Sequence, residues 1–73
     1  MISNEQAAAA ISALMLDITG RLDRSVADVF ASCTEDESIE YRNAVGHVLG
    51  EILLEILNPL YHEHPRLRPG RLE

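Results

Sequence analysis

The sequence predicts an all-α protein: a long antiparallel hairpin of two helices, with a short third helix after Pro59. Two observations predict the helices. Apolar residues recur at spacings of three and four along most of the chain, and a strong helix-start signal at Thr34 divides it in two. An extra apolar row on the second helix predicts that two copies pair as a four-helix-bundle homodimer. We expect residues 1–64 to form the hairpin domain and residues 65–73 a C-terminal tail containing prolines and arginines.

The first helix is predicted to begin near Asn4. Ser3 and Gln6 have the spacing of a capping box, in which the two side chains bond free backbone N–H groups at a helix start. The apolar stripe that follows keeps its phase across Gly20, so we predict one helix there despite a cost of about 1 kcal/mol for an internal glycine. The stripe consists of Ile11, Leu14, Met15, Ile18, Leu22, Val26, Val29 and Cys33.

The second helix has the clearest start in the chain. Thr34 and Glu37 form a capping box, and the acidic first turn is favoured by the helix dipole. Because Pro59 cannot continue the backbone hydrogen bonds, we expect this helix to end at about Asn58. Asn58 followed by Pro59 is also typical of an N-cap with proline at the first helical position, which predicts a short third helix over residues 59–63.

The second helix carries two apolar rows. The row expected to face helix 1 holds Val45, Leu49, Ile52 and Ile56, and also Leu60 if the helix axis continues past the proline. About 100° further round lies a second row, made of Ile39, Gly46, Gly50, Leu53 and Leu57. A hairpin covers only one row per helix, so we expect the second row to form the dimer interface, with the glycines allowing close approach of another backbone. Ala7 to Ala10 and Leu16 of helix 1 are alternative members of that interface.

Composition limits the class of partner and the compartment. A net charge of −6 with a pI near 4.9 disfavours nucleic acid and anionic lipid. A single cysteine, Cys33, excludes an intrachain disulfide and favours the cytoplasm. The apolar run from Ala7 to Leu16 is neither a signal peptide nor a membrane span, since Glu5 precedes it and Asp17 ends it. All six basic residues are arginine, a bias that indicates a bacterial protein from a GC-rich genome.

Metal binding and catalysis have little support in the sequence. The candidate ligands are His47, Glu51, His62 and His64, but neither a Glu-x-x-His pair nor a His-Glu-x-x-His motif occurs. Cys33 has no histidine close in sequence and is expected to be a buried small apolar residue. Nothing has the spacing of a nucleophile with its base. We therefore expect no metal, no cofactor and no enzymatic activity.

The sequence leaves three functions open. The first is a non-enzymatic homodimer acting through protein contacts, as an adaptor, a regulator or an accessory subunit. The second is a nucleic-acid-binding hairpin dimer that uses Arg21, Arg24 and the tail arginines, and the third is a metal-binding helical bundle. The tail arginines are Arg66, Arg68 and Arg71, which could also contact a carboxylate-rich protein partner.

Overall fold

A computed structural model of the chain describes residues 1–69, which are helical over most of their length. Helices α1 and α2 pack as an antiparallel hairpin that measures 44 × 22 × 16 Å. The all-α hairpin predicted from the sequence is confirmed. The elements in chain order are α1 (Glu5–Ser32), α2 (Glu35–Glu51), a π-helical segment (Ile52–Leu57, called here the π segment), α3 (Asn58–Glu63) and a 3-10 turn (Pro65–Leu67).

Helix α1 begins at Glu5 and runs unbroken through Gly20, as predicted. Its N-cap is Asn4, whose side-chain oxygen accepts a hydrogen bond from the Ala7 N–H at 2.8 Å. The predicted capping box of Ser3 and Gln6 was therefore wrong. Asparagine is among the best N-cap residues, and from position 4 its side chain reaches the third helical N–H directly.

The capping box of Thr34 and Glu37 is confirmed at the start of α2. The Glu37 N–H donates to Thr34 Oγ1, and the Thr34 N–H donates to Glu37 Oε1, each at 3.3 Å. One turn later the fully buried Ser38 hydroxyl bonds to the Thr34 carbonyl at 2.8 Å and to the Val29 carbonyl of α1 at 3.3 Å. These bonds fix the hairpin turn against the end of α1.

The second helix does not end at Asn58, and that prediction was wrong. Glu51 and Asn58 both have right-handed helical backbone angles, and the Asn58 N–H bonds to the carbonyl of Leu53, five residues earlier. Pro59 cannot donate, and its ring crowds the carbonyl of the residue four positions before it. The π segment adds one residue to the turn before the proline, so the helix continues into α3 instead of stopping. The predicted third helix exists as this continuation, without an N-cap at Asn58.

The π segment changes which residues face helix α1. In an uninterrupted α-helix Leu57 would lie in line with Gly50 and Leu53, as expected from the sequence. One inserted residue turns everything after it by about 100°. As a result Leu57 is 5% exposed, and Leu60 and Tyr61 are also buried. All three lie in the core of the hairpin.

The core is small and contains paired hydroxyls. Its buried residues include Ala8 of α1 and Val45 of α2, together with the three residues after the π turn. Ser12, 5% exposed, shares a 2.6 Å hydrogen bond with the Tyr61 hydroxyl between α1 and α3. Because buried hydroxyls are costly unless they are hydrogen-bonded, this pair fixes the register of the two elements as well as filling space.

Residues 1–5 and residues 63–66 meet at the open end of the hairpin. The Met1 ammonium contacts Glu63 at 2.7 Å, and His64 Nε2 donates to the Ile2 carbonyl at 2.6 Å. The hydrogen bond from this ammonium lowers the pKa of Glu63. Arg66 pairs with Glu5 of α1, so the first part of the predicted tail lies against the hairpin. The domain boundary at residue 64 stays a prediction.

Candidate interaction surface

The hairpin exposes more surface than a compact protein of its size. A folded monomer of 8.1 kDa is expected to expose about 4,500 Å², whereas this chain exposes 5313 Å². Its radius of gyration is 14.6 Å, against an expectation of roughly 11 Å. The single hairpin therefore presents about 800 Å² more than a compact fold would.

Four of the eight large apolar side chains that are exposed among residues 1–69 lie on one broad side of the hairpin. We call this side the apolar face, and it is formed by two groups of residues. Leu16 and Phe30 of α1 are each 41% exposed, and Ile39 and Leu53 of the second helix are 36% and 49% exposed. Between Ile39 and Leu53 lie two glycines, Gly46 and Gly50.

Helix periodicity and one observed contact place these residues together. At about 100° per residue, the four positions on the second helix fall within a narrow sector beside its core row. On α1 the corresponding sector contains Leu16 and Phe30. The Arg42 guanidinium of α2 lies 5.7 Å from the centre of the Phe30 ring. The sector of α1 and the sector of the second helix therefore lie on the same side of the hairpin.

The two glycines leave open space in the middle of the apolar face. A Cβ atom at Gly46 or Gly50 would meet no heavy atom within 4 Å. At Gly20 of α1, in contrast, a Cβ atom would lie 3.4 Å from the Arg24 guanidinium, which covers that glycine. Bare backbone is therefore available to another molecule on α2 but not at Gly20.

The residues predicted for the interface lie in two different environments. Four of them, Ile39, Gly46, Gly50 and Leu53, lie on the apolar face, whereas Leu57 lies in the hairpin core because of the π segment. On α1 the alternative set is also divided. Ala8 is completely buried against its own chain, whereas Leu16 is on the apolar face. Whether this face meets another copy stays a prediction.

Sequence reasoning missed Phe30. It lies outside the three-and-four stripe of α1, one position after the stripe residue Val29, and so was assigned no role. Its residue type could have indicated a role. Phe30 is the only phenylalanine in the chain, and a large apolar side chain beside a helix stripe widens the apolar sector.

The candidate metal ligands are not brought together. His47, Glu51 and His62 are exposed, and His64 is held by the Ile2 carbonyl. Across residues 1–69 no group of three or more His, Cys, Asp or Glu side chains is arranged to hold a metal ion. In the same part of the chain, no helix is long and apolar enough to cross a membrane.

Several of the candidate nucleic-acid-binding arginines already contact their own chain. Arg21 bonds to Asp17 at 3.1 Å and Arg66 pairs with Glu5, while Arg24 lies over Gly20. Arg68 is exposed, and Arg71 lies outside the described residues. An interface for phosphates needs several cations directed at one surface, and these arginines are divided between the outer side of α1 and the terminal end.

Charge is unevenly distributed along the hairpin. The turn end is strongly acidic, whereas at the terminal end the acidic Glu5 and Glu63 are paired with Arg66 and the N-terminal ammonium. The exposed acidic residues near the turn are Asp28, Glu35, Asp36, Glu37 and Glu40. Any partner that covers the whole apolar face must therefore meet one acidic end.

Comparison of the chain with protein-family models, with curated proteins and with solved structures found no match. Function is therefore argued from the apolar face and the charges around it.

Proposed function

We propose that this chain is a non-enzymatic homodimer, a four-helix bundle that works through protein contacts as an adaptor, a regulator or an accessory subunit. The observation that carries the proposal is the apolar face, which stays exposed when the hairpin is alone. The surplus surface of about 800 Å² is close to the area that each partner buries in a standard protein interface, also about 800 Å².

A second copy is the partner that suits this face best. Apolar residues lie near both ends, Phe30 and Ile39 towards the turn and Leu16 and Leu53 towards the termini, so the face is complementary to itself in either orientation. Two-fold pairing of like surfaces is the commonest way in which small proteins associate. It would also give each helix a second neighbour, as in other four-helix bundles.

The exposed free thiol of Cys33 favours the cytoplasm as the compartment.

The test is the mass in solution of two matched variants. Leu53→Asp places a charge within the proposed interface, and because Leu53 is half exposed in the single hairpin, the monomer should tolerate the change. Glu55→Lys changes the charge at an exposed residue two positions away, outside the apolar face. Circular dichroism of both variants checks that the helices are retained.

We expect the native chain and Glu55→Lys to sediment at twice the 8.1 kDa mass of one chain, and Leu53→Asp to sediment as a monomer. A native chain that stays monomeric and folded at tens of micromolar contradicts the homodimer. Equal behaviour of the two variants contradicts the assignment of Leu53 to the interface.

A further inference from the structure

We infer that the two copies lie end-reversed, with the turn of each hairpin over the terminal end of its partner and the α2 helices crossing at Gly46 and Gly50. This inference rests on the proposed homodimer and adds its geometry. Two arrangements bring the apolar faces together around a two-fold axis. In the end-reversed arrangement α2 packs on the partner's α2, whereas in the end-matched arrangement α2 packs on the partner's α1.

The charges favour the end-reversed arrangement. End-matched pairing would place two acidic turns side by side at the same end of the dimer, each with five exposed carboxylates. Like charges held together at an interface oppose association. End-reversed pairing separates the turns by roughly the 44 Å length of the hairpin, well beyond the Debye length of about 8 Å at physiological salt. It also brings each turn towards Arg66 and Arg68 of the other copy.

The glycines favour the same arrangement. Close packing of two helices requires bare backbone on both of them, since a side chain on either one keeps the axes apart. End-reversed pairing sets Gly46 of one copy opposite Gly50 of the other, where neither copy has an atom within 4 Å of the Cβ positions. End-matched pairing would set these glycines against α1 near Gly20, which is already covered by Arg24.

The native cysteine provides a direct test. Cys33 is the only cysteine of the chain and lies at the hairpin turn, and it is exposed, so the expectation that it would be buried was wrong. Spin-labelling it in the full native chain and measuring the label-to-label distance by double electron–electron resonance reports where the two turns lie. A matched control carries the label at the middle of the hairpin, as His47→Cys in a Cys33→Ser background, where the end-reversed arrangement brings the two labels close because α2 packs on the partner's α2.

The inference predicts a Cys33 distance on the order of the 44 Å hairpin length, together with a short distance for the mid-hairpin control. A dimer in which the Cys33 labels are within about 20 Å, roughly two helix diameters, overturns the end-reversed geometry and leaves the homodimer standing. A sample with the mass of one chain and no dipolar coupling at either position overturns both.

Discussion

Replacing Gly46 and Gly50 by alanine should strengthen the single hairpin and weaken the dimer, so two measurable free energies move in opposite directions. Alanine is more favourable than glycine inside a helix by about 0.8–1.0 kcal/mol. The added methyl groups meet nothing within 4 Å in the single chain, so no clash offsets this gain. The double variant should therefore stabilise the hairpin by about 2 kcal/mol, which raises the Tm of a domain this small by about 10 °C.

At the proposed crossing the same methyl groups occupy the space that the other helix needs. Overpacking of a well-fitted contact costs about 1–3 kcal/mol. The dimer Kd should accordingly rise about 10- to 100-fold. Sedimentation equilibrium gives the Kd, and thermal unfolding followed by circular dichroism at a concentration below the Kd gives the Tm of the single hairpin.

Gly20→Ala is the control for this experiment. Its Cβ would lie 3.4 Å from the flexible end of Arg24, an ordinary contact, so the variant should gain a similar helix stability of about 1 kcal/mol without changing the Kd. If the Gly46 and Gly50 variant raises the Tm but leaves the Kd unchanged, the glycines do not lie at the crossing. If its Tm falls, the space around these two glycines is not open and the description of the apolar face is wrong.

Two further predictions concern the core near the π segment, and chemical denaturation measures both. Leu57→Ala should cost about 2–5 kcal/mol of unfolding free energy because Leu57 is 5% exposed, whereas Leu54→Ala, at 63% exposed, should change it by less than about 0.5 kcal/mol. A Leu57→Ala cost as small as that of Leu54→Ala would mean that the helix keeps its α-helical phase through residue 57. Tyr61→Phe should cost about 1–3 kcal/mol because it leaves the buried Ser12 hydroxyl without its partner. Tyr41→Phe should cost less, since its partner Ser25 keeps a bond to the Leu22 carbonyl, and equal costs would contradict this reasoning.

Local signals predicted the helices and the turn correctly. The capping box at Thr34 and the unbroken phase across Gly20 depend only on residues within one or two turns of each other, so sequence spacing is enough to find them. The N-cap of α1 was misplaced by one residue because Ser3 and Asn4 are both good caps, and only the backbone path decides between them.

The π segment could not be predicted by the same method. The direction of each side chain around the helix axis was predicted by assuming 3.6 residues per turn through Leu57. A residue inserted by a π turn rotates every later side chain by the same angle, so the predicted direction is wrong for all of them. The sequence does contain an indication. In a regular α-helix Leu57 and Tyr61 would both point away from the row of Val45 and Ile52, yet two large apolar residues close to the end of a hairpin need a core to enter.

The π segment therefore links the stability of one hairpin to the composition of the proposed interface. Near the terminal end the buried residues of α1 are the small Ala8 and Ser12, so large residues from the other helix of the hairpin fill the space opposite them. By turning Leu57 and Tyr61 inwards, the π segment supplies them, and it does so by removing Leu57 from the apolar face. What remains on that face is centred on the two glycines, where the absence of a side chain leaves room for the backbone of a second helix to approach.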